Sequence, residues 1–409
     1  MYKGSIGALM CRFSCRSFLV CVVLAGAGVA AAEVPKFEAR EIDAHVGEVC
    51  YAVTLADVDG DGKPDVVAVS ENRVVWYHNP DWKPRVIIED QTERDNVCIA
   101  PQDVDGDGQI DFALGAGWLN GKNLGTIYWL SRGATLEDRW KARPIGRESW
   151  THRMRWGDIL GTGKPQLVVS PLNRTEGSGV RLLAFEIPAR PDSDPWKSTV
   201  LDSQLNAMHN HWMVDLDGDG KVDAVTASQE GVSLIQRDGD AKFARHKLAE
   251  GAPGPDAPQK RGAGEIKVGR FRNGALFIAT VEPMHGNAVV VYTRPAAGEA
   301  LWARHVLDES LARGHAVWTS DIDRDGSDEL VIGHSDKGTG QIAGPGVFIY
   351  DAADESGARW TKHVVDNGGI ATEDLIVGDL DGDGWPDIVA GGRATHNVKV
   401  YMNAGGKGK

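Results

Sequence analysis

Basic residues are in short supply in this chain of 409 residues, which has 44 lysines and arginines against 58 aspartates and glutamates and a formal net charge of −14. No run rich in Lys or Arg offsets this acidic background. Binding to a phosphate backbone requires a concentrated positive surface. The composition therefore predicts that nucleic acid is not a partner.

Long hydrophobic runs are also missing, apart from one near the N-terminus. The stretch Phe18 to Ala32 has 15 residues, fewer than the about 20 that a membrane-spanning helix needs. It follows three basic residues and ends in Ala30-Ala31-Ala32, a small-residue cleavage site. We therefore predict a signal peptide over residues 1–32, a mature chain over 33–409 that is periplasmic or secreted, and no membrane span after cleavage. An uncleaved membrane anchor is the alternative.

Cysteine is rare, with five residues in the chain, of which Cys11, Cys15 and Cys21 lie in the predicted signal peptide. Only Cys50 and Cys98 remain in the predicted mature protein. An oxidising compartment would allow them to form a disulfide. Because sequence does not give their Cα separation, a disulfide and two buried thiols both remain open.

Three common catalytic signatures are absent as well: the nucleophile elbow, the phosphate-binding loop and the dinucleotide fingerprint. Their absence argues against the enzyme classes that depend on them. What the chain does contain is an internal repeat, which has to be recognised before the fold is predicted.

The repeat is marked by an acidic segment of nine residues. DVDGDGKPD begins at Asp57, DVDGDGQID at Asp103, DLDGDGKVD at Asp215, DIDRDGSDE at Asp321 and DLDGDGWPD at Asp379. Degenerate copies begin at Asp158 and Arg270. These seven positions are about 46 to 58 residues apart, a spacing that suits one compact β-sheet unit per repeat.

Each acidic segment precedes two short β-branched runs separated by turn residues, as in DVVAVSEN followed by RVVWYHNP, which is typical of antiparallel strands. Each unit then ends in an aromatic marker such as WKPRVI or WARHVL. The seventh marker, FEAREI, begins at Phe37 and precedes the first acidic segment. The N-terminus must therefore supply the last strand of the last unit.

This circular offset predicts an all-β fold, a single seven-bladed β-propeller with four-stranded blades, whose ring is closed by the N-terminal strand so that no sheet edge is left open. A β-sandwich array and a linear solenoid are the alternatives. Neither requires the first strand to belong to the last repeat.

The acidic segments place carboxylates at alternate positions with glycines for the turn, as calcium-binding loops do. In an exported protein we expect up to five structural Ca²⁺ ions, one in each intact copy. The predicted ligands are Asp57, Asp59, Asp61 and Asp65; Asp103, Asp105, Asp107 and Asp111; Asp215, Asp217, Asp219 and Asp223; Asp321, Asp323, Asp325 and Glu329; and Asp379, Asp381, Asp383 and Asp387.

Histidines recur at one position of the repeat. The residues six places before the acidic segments are Tyr51, Val97, His152, His209, Gly264, His315 and Glu373. Six residues of strand span roughly 20 Å. These side chains and the calcium loops therefore lie at opposite ends of the innermost strands and cannot share an ion.

The turns between the second and third strands lie at the same end, called the mouth here. They carry Trp118, Asn173, Arg174, Gln229, Glu282, His285, His334, Arg393 and His396. Several histidines that converge on one axis suit Zn²⁺ or another divalent metal, and also proton transfer. The alternative is a coincidental polar rim. His246, His305 and His363, in the aromatic markers, are predicted to be structural, as is His78.

At these residues the chain resembles a known family. ESWTHRMRWGDI, LVVSPL, GAGEIKVGRF, VEPMHGNAVVVY and GHAVWTSDIDRDGSDELVIG are similar, segment by segment, to the propeller domain of the fungal aldos-2-ulose dehydratase (anhydrofructose dehydratase) family. The acidic loops are less specific, because FG-GAP and VCBS-type repeats in many propellers contain them.

The resemblance implies a lyase that removes water from a ketosugar in the propeller channel, with a metal nearby. By position His152 is the implied base, and His209, His211, Glu265, Glu282, His285 and His315 match the surrounding segments of the family. The family continues into cupin domains, whereas this sequence ends at Lys409. The expected activity therefore stops at the dehydrated product or uses another ketosugar.

These considerations give three sets of candidate residues. The catalytic candidates are His152, His209, His315, Glu282 and His285. The candidates for contact with a carbohydrate are Arg153, Arg155, Arg174, Trp118, His334 and Arg393. The candidates for a metal at the mouth are His209, His211, Glu265 and His315.

Other functions remain open at this point. Elimination from a uronic acid polysaccharide would use the same chemistry, with Arg153, Arg155 or Arg174 neutralising the carboxylate. A non-catalytic propeller that binds glycans or proteins would use exposed aromatic residues at the mouth, for which Trp118, Trp150, Trp212 and Trp318 are candidates. A scaffold subunit would present a broad apolar patch. The sequence does not indicate an oligomeric state.

Overall fold

Every regular element in the described part of the chain is a β-strand. The computed structural model describes Met1 and residues 35–118, 125–174, 179–239, 242–257, 259–295, 300–340 and 344–405. Nearly all of the predicted signal peptide lies outside these residues. Among the described residues, no helix has the length and apolar character needed to traverse a bilayer.

The first strand, β1 (Phe37–Asp43), is followed by blades 1 to 3, each a sheet of four consecutive strands. Their strands are β2 (Ala52–Ala56), β3 (Asp65–Val69), β4 (Arg73–His78) and β5 (Lys83–Glu89); β6 (Cys98–Gln102), β7 (Asp111–Ala116), β8 (Thr126–Ser131) and β9 (Lys141–Arg147); and β10 (Thr151–Gly157), β11 (Gln166–Pro171), β12 (Val180–Glu186) and β13 (Lys197–Leu205).

Blades 4 to 6 repeat the pattern, and blade 7 contributes three strands of its own. Their strands are β14 (Met208–Val214), β15 (Asp223–Ser228), β16 (Gly231–Arg237) and β17 (Phe243–Ala249); β18 (Ile266–Arg270), β19 (Leu276–Glu282), β20 (Ala288–Thr293) and β21 (Ala303–Asp308); β22 (Gly314–Ser320), β23 (Glu329–His334), β24 (Gly346–Ala352) and β25 (Trp360–Asn367); and β26 (Thr372–Gly378), β27 (Asp387–Gly392) and β28 (Val398–Asn403).

The ring closes as the displaced aromatic marker predicts. Blade 7 has the strand order β1-β28-β27-β26, and β1 pairs antiparallel with β28 from Phe37 opposite Asn403 to Asp43 opposite Val398. The innermost strands β2, β6, β10, β14, β18, β22 and β26 each contact the next around the ring. The prediction of a seven-bladed propeller is therefore confirmed.

The hydrophobic core is divided among the seven contacts between neighbouring blades. Trp76 of blade 1 and Phe112 of blade 2 belong to one apolar cluster, and Phe277 of blade 5 and Phe348 of blade 6 belong to another. Equivalent clusters fill the remaining blade contacts in the described residues. Apolar residues on both faces of the second and third strands bury the blades against each other, which fixes the inner strands around the channel.

Candidate functional site

Four inner strands carry a β-bulge at the mouth end. The pairing register shifts between Thr151 and Arg153 in β10, Met208 and Asn210 in β14, Gly314 and Ala316 in β22, and Thr372 and Asp374 in β26. The residues at these shifts are His152, His209, His315 and Glu373. A bulge re-aims side chains that strict alternation would send elsewhere. The bulges thus allow both the bulged residue and the one after it to face the channel.

The histidine cluster consists of His152, His209, His285 and His315. The His209 ring, which is 0% exposed, lies at the centre, with centroid distances of 4.5 Å to His152, 4.7 Å to His285 and 4.9 Å to His315. His285 comes from the turn after β19 and has φ of 54°. Its ring stacks on His315 at 4.8 Å. The structure therefore brings four of the predicted residues together.

Backbone contacts fix the tautomers of two members of this cluster. His152 Nδ1 lies 2.8 Å from the carbonyl oxygen of His209, and His315 Nδ1 lies 2.6 Å from that of Glu373. Because a carbonyl oxygen only accepts, each Nδ1 must carry the proton. In the neutral ring, Nε2 then has a free lone pair that can bind a proton or a metal.

The histidines of the cluster are neutral at ordinary pH. Burial lowers the pKa of His152, His209 and His315 well below the usual value, and nearby cations such as Arg153 add to the effect. Burial, followed by Arg313, lowers the pKa of His285 to about 4. Unprotonated imidazoles are the form needed for general-base catalysis and for metal binding.

A buried ion pair lies next to the cluster. Arg153 donates to Glu265 at 3.0 Å, and their side chains are 7% and 3% exposed. Burial opposes ionisation of Glu265, but Arg153, the other nearby positive groups and the hydrogen bond from Asn210 together outweigh it and lower the pKa of this carboxyl to about 2. Asn210 also donates to Glu265. Glu265 therefore remains a carboxylate beside the histidines.

A cavity of about 50 Å³, called the mouth cavity here, opens above the cluster. It is lined in part by Trp118, His152, Arg153, His285, Arg313 and Arg393. Arg393 pairs with the bulged residue Glu373, and Trp118 lies 6.1 Å from His152 between ring centroids. Trp118, Arg153 and Arg393 are thus placed where a ligand in this cavity would contact them.

Four other candidates lie away from the histidine cluster. His211 Nδ1 is 3.0 Å from Ser170 Oγ in the neighbouring blade. Glu282 is held by Tyr292 and Arg304. His334 bonds the backbone of Asp336 and stacks on Phe348, and exposed Arg174 bonds Asn206. These positions do not fit roles at the mouth for His211, Glu282, His334 and Arg174.

Three further candidates lie deeper in the channel than expected. Arg155, Trp212 and Trp318 line a cavity of about 400 Å³, called the inner chamber here. They stand three places before the acidic segments, and therefore lie partway along the inner strands and not at the mouth. The expectation that Trp212 and Trp318 are mouth aromatics is wrong for this reason.

Two ionisable residues of the inner chamber, Lys267 and Asp374, were not predicted from the sequence. Burial and Arg155 lower the pKa of Lys267 to about 7, while burial raises the pKa of Asp374. A usable signal was present, because positions two apart on one strand share a face. That rule connects Lys267 to Glu265, whereas Asp374 directly follows Glu373 at the bulge in β26, and the sequence alone does not reveal that bulge.

The side chains of the cluster fit a divalent metal. Ligand atoms of His152, His209 and His315 all lie within 4.8 Å of one another. His209 Nε2 lies 3.0 Å from His285 Nε2, and His209 Nδ1 lies 2.9 Å from Glu265 Oε1 without making a hydrogen bond. Several imidazole nitrogens at these distances form a donor set that suits Zn²⁺.

The acidic loops also have the donor set for a cation. Carboxylates of Asp57, Asp59 and Asp65 converge, as do those of Asp215, Asp217 and Asp223. In every intact loop the ninth residue accepts a bond from the backbone N–H of the second residue. In Gly60 and Gly62 the turn requires φ of 78° and 88°, a conformation that favours glycine.

Among the acidic loops described, the blade 6 loop fits a cation most clearly. Oxygen atoms of Asp321, Asp323 and Glu329 are buried there without a hydrogen-bond partner. Buried carboxylates are costly unless a cation or donor compensates them. The fit supports a cation at this loop. Arg272, which belongs to the degenerate copy in blade 5, donates to Asp325 of the blade 6 loop.

Cys50 and Cys98 are both free thiols in buried positions. Cys50 packs in the contact between blades 7 and 1, and Cys98 in the contact between blades 2 and 3. Burial raises the pKa of both thiols, that of Cys98 to about 12. Of the two possibilities left open by the sequence, the structure has the two thiols and not the disulfide.

Comparison with known proteins matches the resemblance seen in the sequence. Residues 124–295 match the family described as aldos-2-ulose dehydratase, beta-propeller domain, and residues 57–114 match an FG-GAP-like repeat. Aldos-2-ulose dehydratase from Phanerodontia chrysosporium is 30% identical over 272 aligned residues, and the match covers 61% of this chain and 30% of that protein. This chain therefore spans less than a third of that relative.

A solved structure supports the fold alone. It is a lectin from Agrocybe aegerita described as recognising non-reducing terminal N-acetylglucosamine, with a TM-score of 0.52 and 16% identity over 83% of this chain and 88% of the lectin chain. Together the comparisons confirm that this chain is similar to the β-propeller domain of aldos-2-ulose dehydratase and carries FG-GAP-like repeats.

Proposed function

We propose that this protein is a carbohydrate hydro-lyase that eliminates water from a ketosugar at the histidine cluster. The observation that carries the proposal is the pair His152 and His315, neutral imidazoles whose Nδ1–H groups are held by backbone carbonyls. Each leaves Nε2 unprotonated beside the mouth cavity, which both residues line. The name of the relative, a dehydratase of an oxidised sugar, supports the same reaction class.

In this proposal His152 is the base. A carbonyl acidifies the neighbouring C–H, and His152 Nε2 takes that proton while the electron pair of the C–H bond forms the new C=C bond. The hydroxyl on the adjacent carbon leaves with the electron pair of the C–O bond and takes the proton from the His152 imidazolium, which forms water and returns His152 to its neutral form. Substrate is thereby converted to an unsaturated ketone and water, without any oxidant or reductant.

Cationic side chains of the mouth cavity would bind the carbonyl oxygen as negative charge develops on it. Arg153, Arg313 and Arg393 line this cavity, and Arg153 is held in place by its ion pair with Glu265. Trp118 offers an apolar surface for one face of a sugar. Arginines at this position would also bind the carboxylate of a uronate. An experiment must therefore distinguish a ketosugar substrate from a uronate substrate.

A divalent metal would be held by His209 and His315, with His285 beside His209. When bound, it would act as a Lewis acid towards the substrate carbonyl. His152 would keep the role of base. Without a metal, Arg153, Arg313 and Arg393 would bind the carbonyl oxygen of the substrate.

The acidic loops are proposed to bind structural Ca²⁺. Unpaired buried oxygens of Asp321, Asp323 and Glu329 support this, and the loops of different blades use the same backbone bonds. Because equivalent loops recur around the ring, their role is in folding and not in binding substrate. Export of the mature chain is proposed from the signal-like sequence at the N-terminus.

The test is an ultraviolet assay for the conjugated product. Purified protein is incubated with anhydrofructose, with a 3-ketosugar and with an oligouronate, before and after removal and return of Zn²⁺. We expect an enone signal with at least one ketosugar. His152→Ala should lower the rate by about 10²-fold or more, the contribution typical of a positioned base.

His246→Ala is the matched control, because His246 is an exposed residue of the outer strand β17. It should retain the wild-type rate. Activity on the oligouronate alone would show that the substrate is a uronate and not a ketosugar. No product from any of the three substrates, together with measurable sugar binding, would refute the lyase and favour a non-catalytic glycan-binding propeller.

A further inference from the structure

The inner chamber is a second cavity along the propeller channel. With a volume of about 400 Å³ it is larger than the mouth cavity, and its volume lies in the range of small-molecule sites, about 300 to 1,000 Å³. Arg153 lines both cavities and lies between them. The chamber is thus separate from the histidine cluster and has its own set of side chains.

Two cations in this chamber are held on indole rings. Lys267 Nζ lies 4.5 Å from the ring centroid of Trp212 and 4.8 Å from that of Trp318. Arg155 stacks over Trp212 at 4.9 Å. Trp212 and Trp318 meet edge to face at 5.5 Å. Such cation–π contacts place the charges without neutralising them.

Neither cation has a carboxylate partner within ion-pair distance among the described residues. Arg155 donates to the neutral amide of Asn210 at 3.1 Å, and its Nε is buried without a partner. Lys267 Nζ has only a long contact of 3.5 Å to its neighbour's backbone oxygen. A buried ammonium and a half-buried guanidinium without such partners are costly, and an anionic ligand would compensate them.

The charges around the inner chamber leave room for one anion. With Lys267 protonated and Asp374 ionised, the cations that line the chamber are Arg153, Arg155 and Lys267, and the carboxylates are Asp374 in its wall and Glu265, which pairs with Arg153. Three positive charges against two negative charges leave one positive charge. A carboxylate carries a single negative charge, whereas a phosphate monoester carries about −1.5 to −2.

We propose that the inner chamber is a second binding site, distinct from the histidine cluster, which binds a small organic carboxylate of monosaccharide size between Arg155 and Lys267. The carboxylate accepts hydrogen bonds from the guanidinium and the ammonium. The ring of the ligand occupies the space along Trp212, Trp318 and Thr54. This site does not depend on the proposed dehydration.

Calorimetry with three probes tests the proposal. Glucuronate is the carboxylate probe, glucose is its neutral counterpart, and inorganic phosphate tests for unselective anion binding. We expect wild type to bind glucuronate at least about tenfold more tightly than glucose or phosphate. Lys267→Met should weaken glucuronate binding by about tenfold or more, since it removes a charge-assisted hydrogen bond.

The variants also decide which cavity is occupied. Lys267→Arg should retain glucuronate binding and Arg155→Met should lose it, while His152→Ala and the surface control Lys83→Met should bind as wild type does. Tryptophan fluorescence should change on binding in wild type and not in Trp212→Phe/Trp318→Phe. Loss of binding in His152→Ala with retention in Lys267→Met would place the ligand at the mouth and overturn the proposal. Equal affinities for the three probes would also overturn it.

Discussion

At the scale of single residues, backbone contacts and burial set the chemistry of the histidines. His152 and His315 each have Nδ1 fixed by a carbonyl oxygen, and burial keeps both rings neutral. An exposed histidine would have neither constraint. His246, an exposed residue of the outer strand β17, lacks this burial.

The buried pair Arg153–Glu265 should be important for stability. Glu265→Leu leaves Arg153 as an uncompensated buried charge, and we expect a loss of about 3–5 kcal/mol in the free energy of unfolding. Urea denaturation measures it. Asp194→Asn is the control, since the Arg190–Asp194 pair is on the surface with side chains 74% and 27% exposed, and should cost less than about 1 kcal/mol. Equal effects would show that the buried pair has no special role.

Acid should weaken the fold through the neutral histidines. Burial lowers the pKa of His285 to about 4, so below the ordinary value of about 6.5 the unfolded chain binds a proton that the folded chain does not. This contribution to stability is present at pH 7 and is lost as the pH falls from about 6.5 towards 4. We expect wild type to lose stability relative to His285→Gln over that range. A difference between the two that does not change with pH would contradict the account.

At the scale of the element, the bulges explain where sequence reasoning succeeded and where it did not. The alignment of seven repeats placed His152, His209 and His315 at equivalent positions, and the structure brings them together. Register shifts are properties of paired strands, so a single strand's sequence does not reveal them. Glu282 was predicted to lie at the mouth, but it accepts hydrogen bonds from Tyr292 and Arg304, which belong to strands further out in the blade.

Each intact acidic loop should bind one Ca²⁺. We predict five ions for each wild-type chain from the five intact copies, and four for Glu329→Gln, since Glu329 supplies one of the unpaired buried oxygens in the blade 6 loop. Inductively coupled plasma mass spectrometry gives the stoichiometry. Chelation should lower the melting temperature.

Asp158→Asn is the control for the calcium prediction, because the blade 3 copy has Gln166 in place of the ninth carboxylate. The amide oxygen of Gln166 accepts a hydrogen bond from the backbone N–H of Leu160, the third residue of this copy. Asp158→Asn should leave both the number of ions and the melting temperature unchanged. A Glu329→Gln protein that still binds five ions would remove blade 6 from the set of sites.

At the scale of the whole molecule, the fold could be predicted because the repeat occurs seven times in the sequence. The acidic segments indicated where each innermost strand ends. The displaced marker at Phe37 indicated that the N-terminal strand closes the ring, which the β1–β28 pairing confirms. The inner chamber was not predicted. It depends on side chains from several blades, such as Arg155, Lys267 and Asp374, that are far apart in sequence and meet only in the closed ring.

Closure by β1 should control stability. Deleting residues 35–43 removes the partner of β28 and exposes a sheet edge, which promotes aggregation. We expect a lower melting temperature and concentration-dependent aggregation, measured by scanning calorimetry and light scattering. Deletion of residues 406–409, which follow β28, is the control. Unchanged stability in the first deletion would show that closure by β1 is dispensable.

The central claim is that His152 removes the proton next to the substrate carbonyl. The most direct measurement uses the ketosugar that gives product, deuterated at that carbon, and follows product and deuterium by NMR with wild type, His152→Ala and His246→Ala. The account predicts that wild type and His246→Ala give an unsaturated ketone without that deuterium, at a rate reduced by the isotope, and that His152→Ala gives about 10²-fold less. A His152→Ala protein that forms the product at the wild-type rate would contradict it.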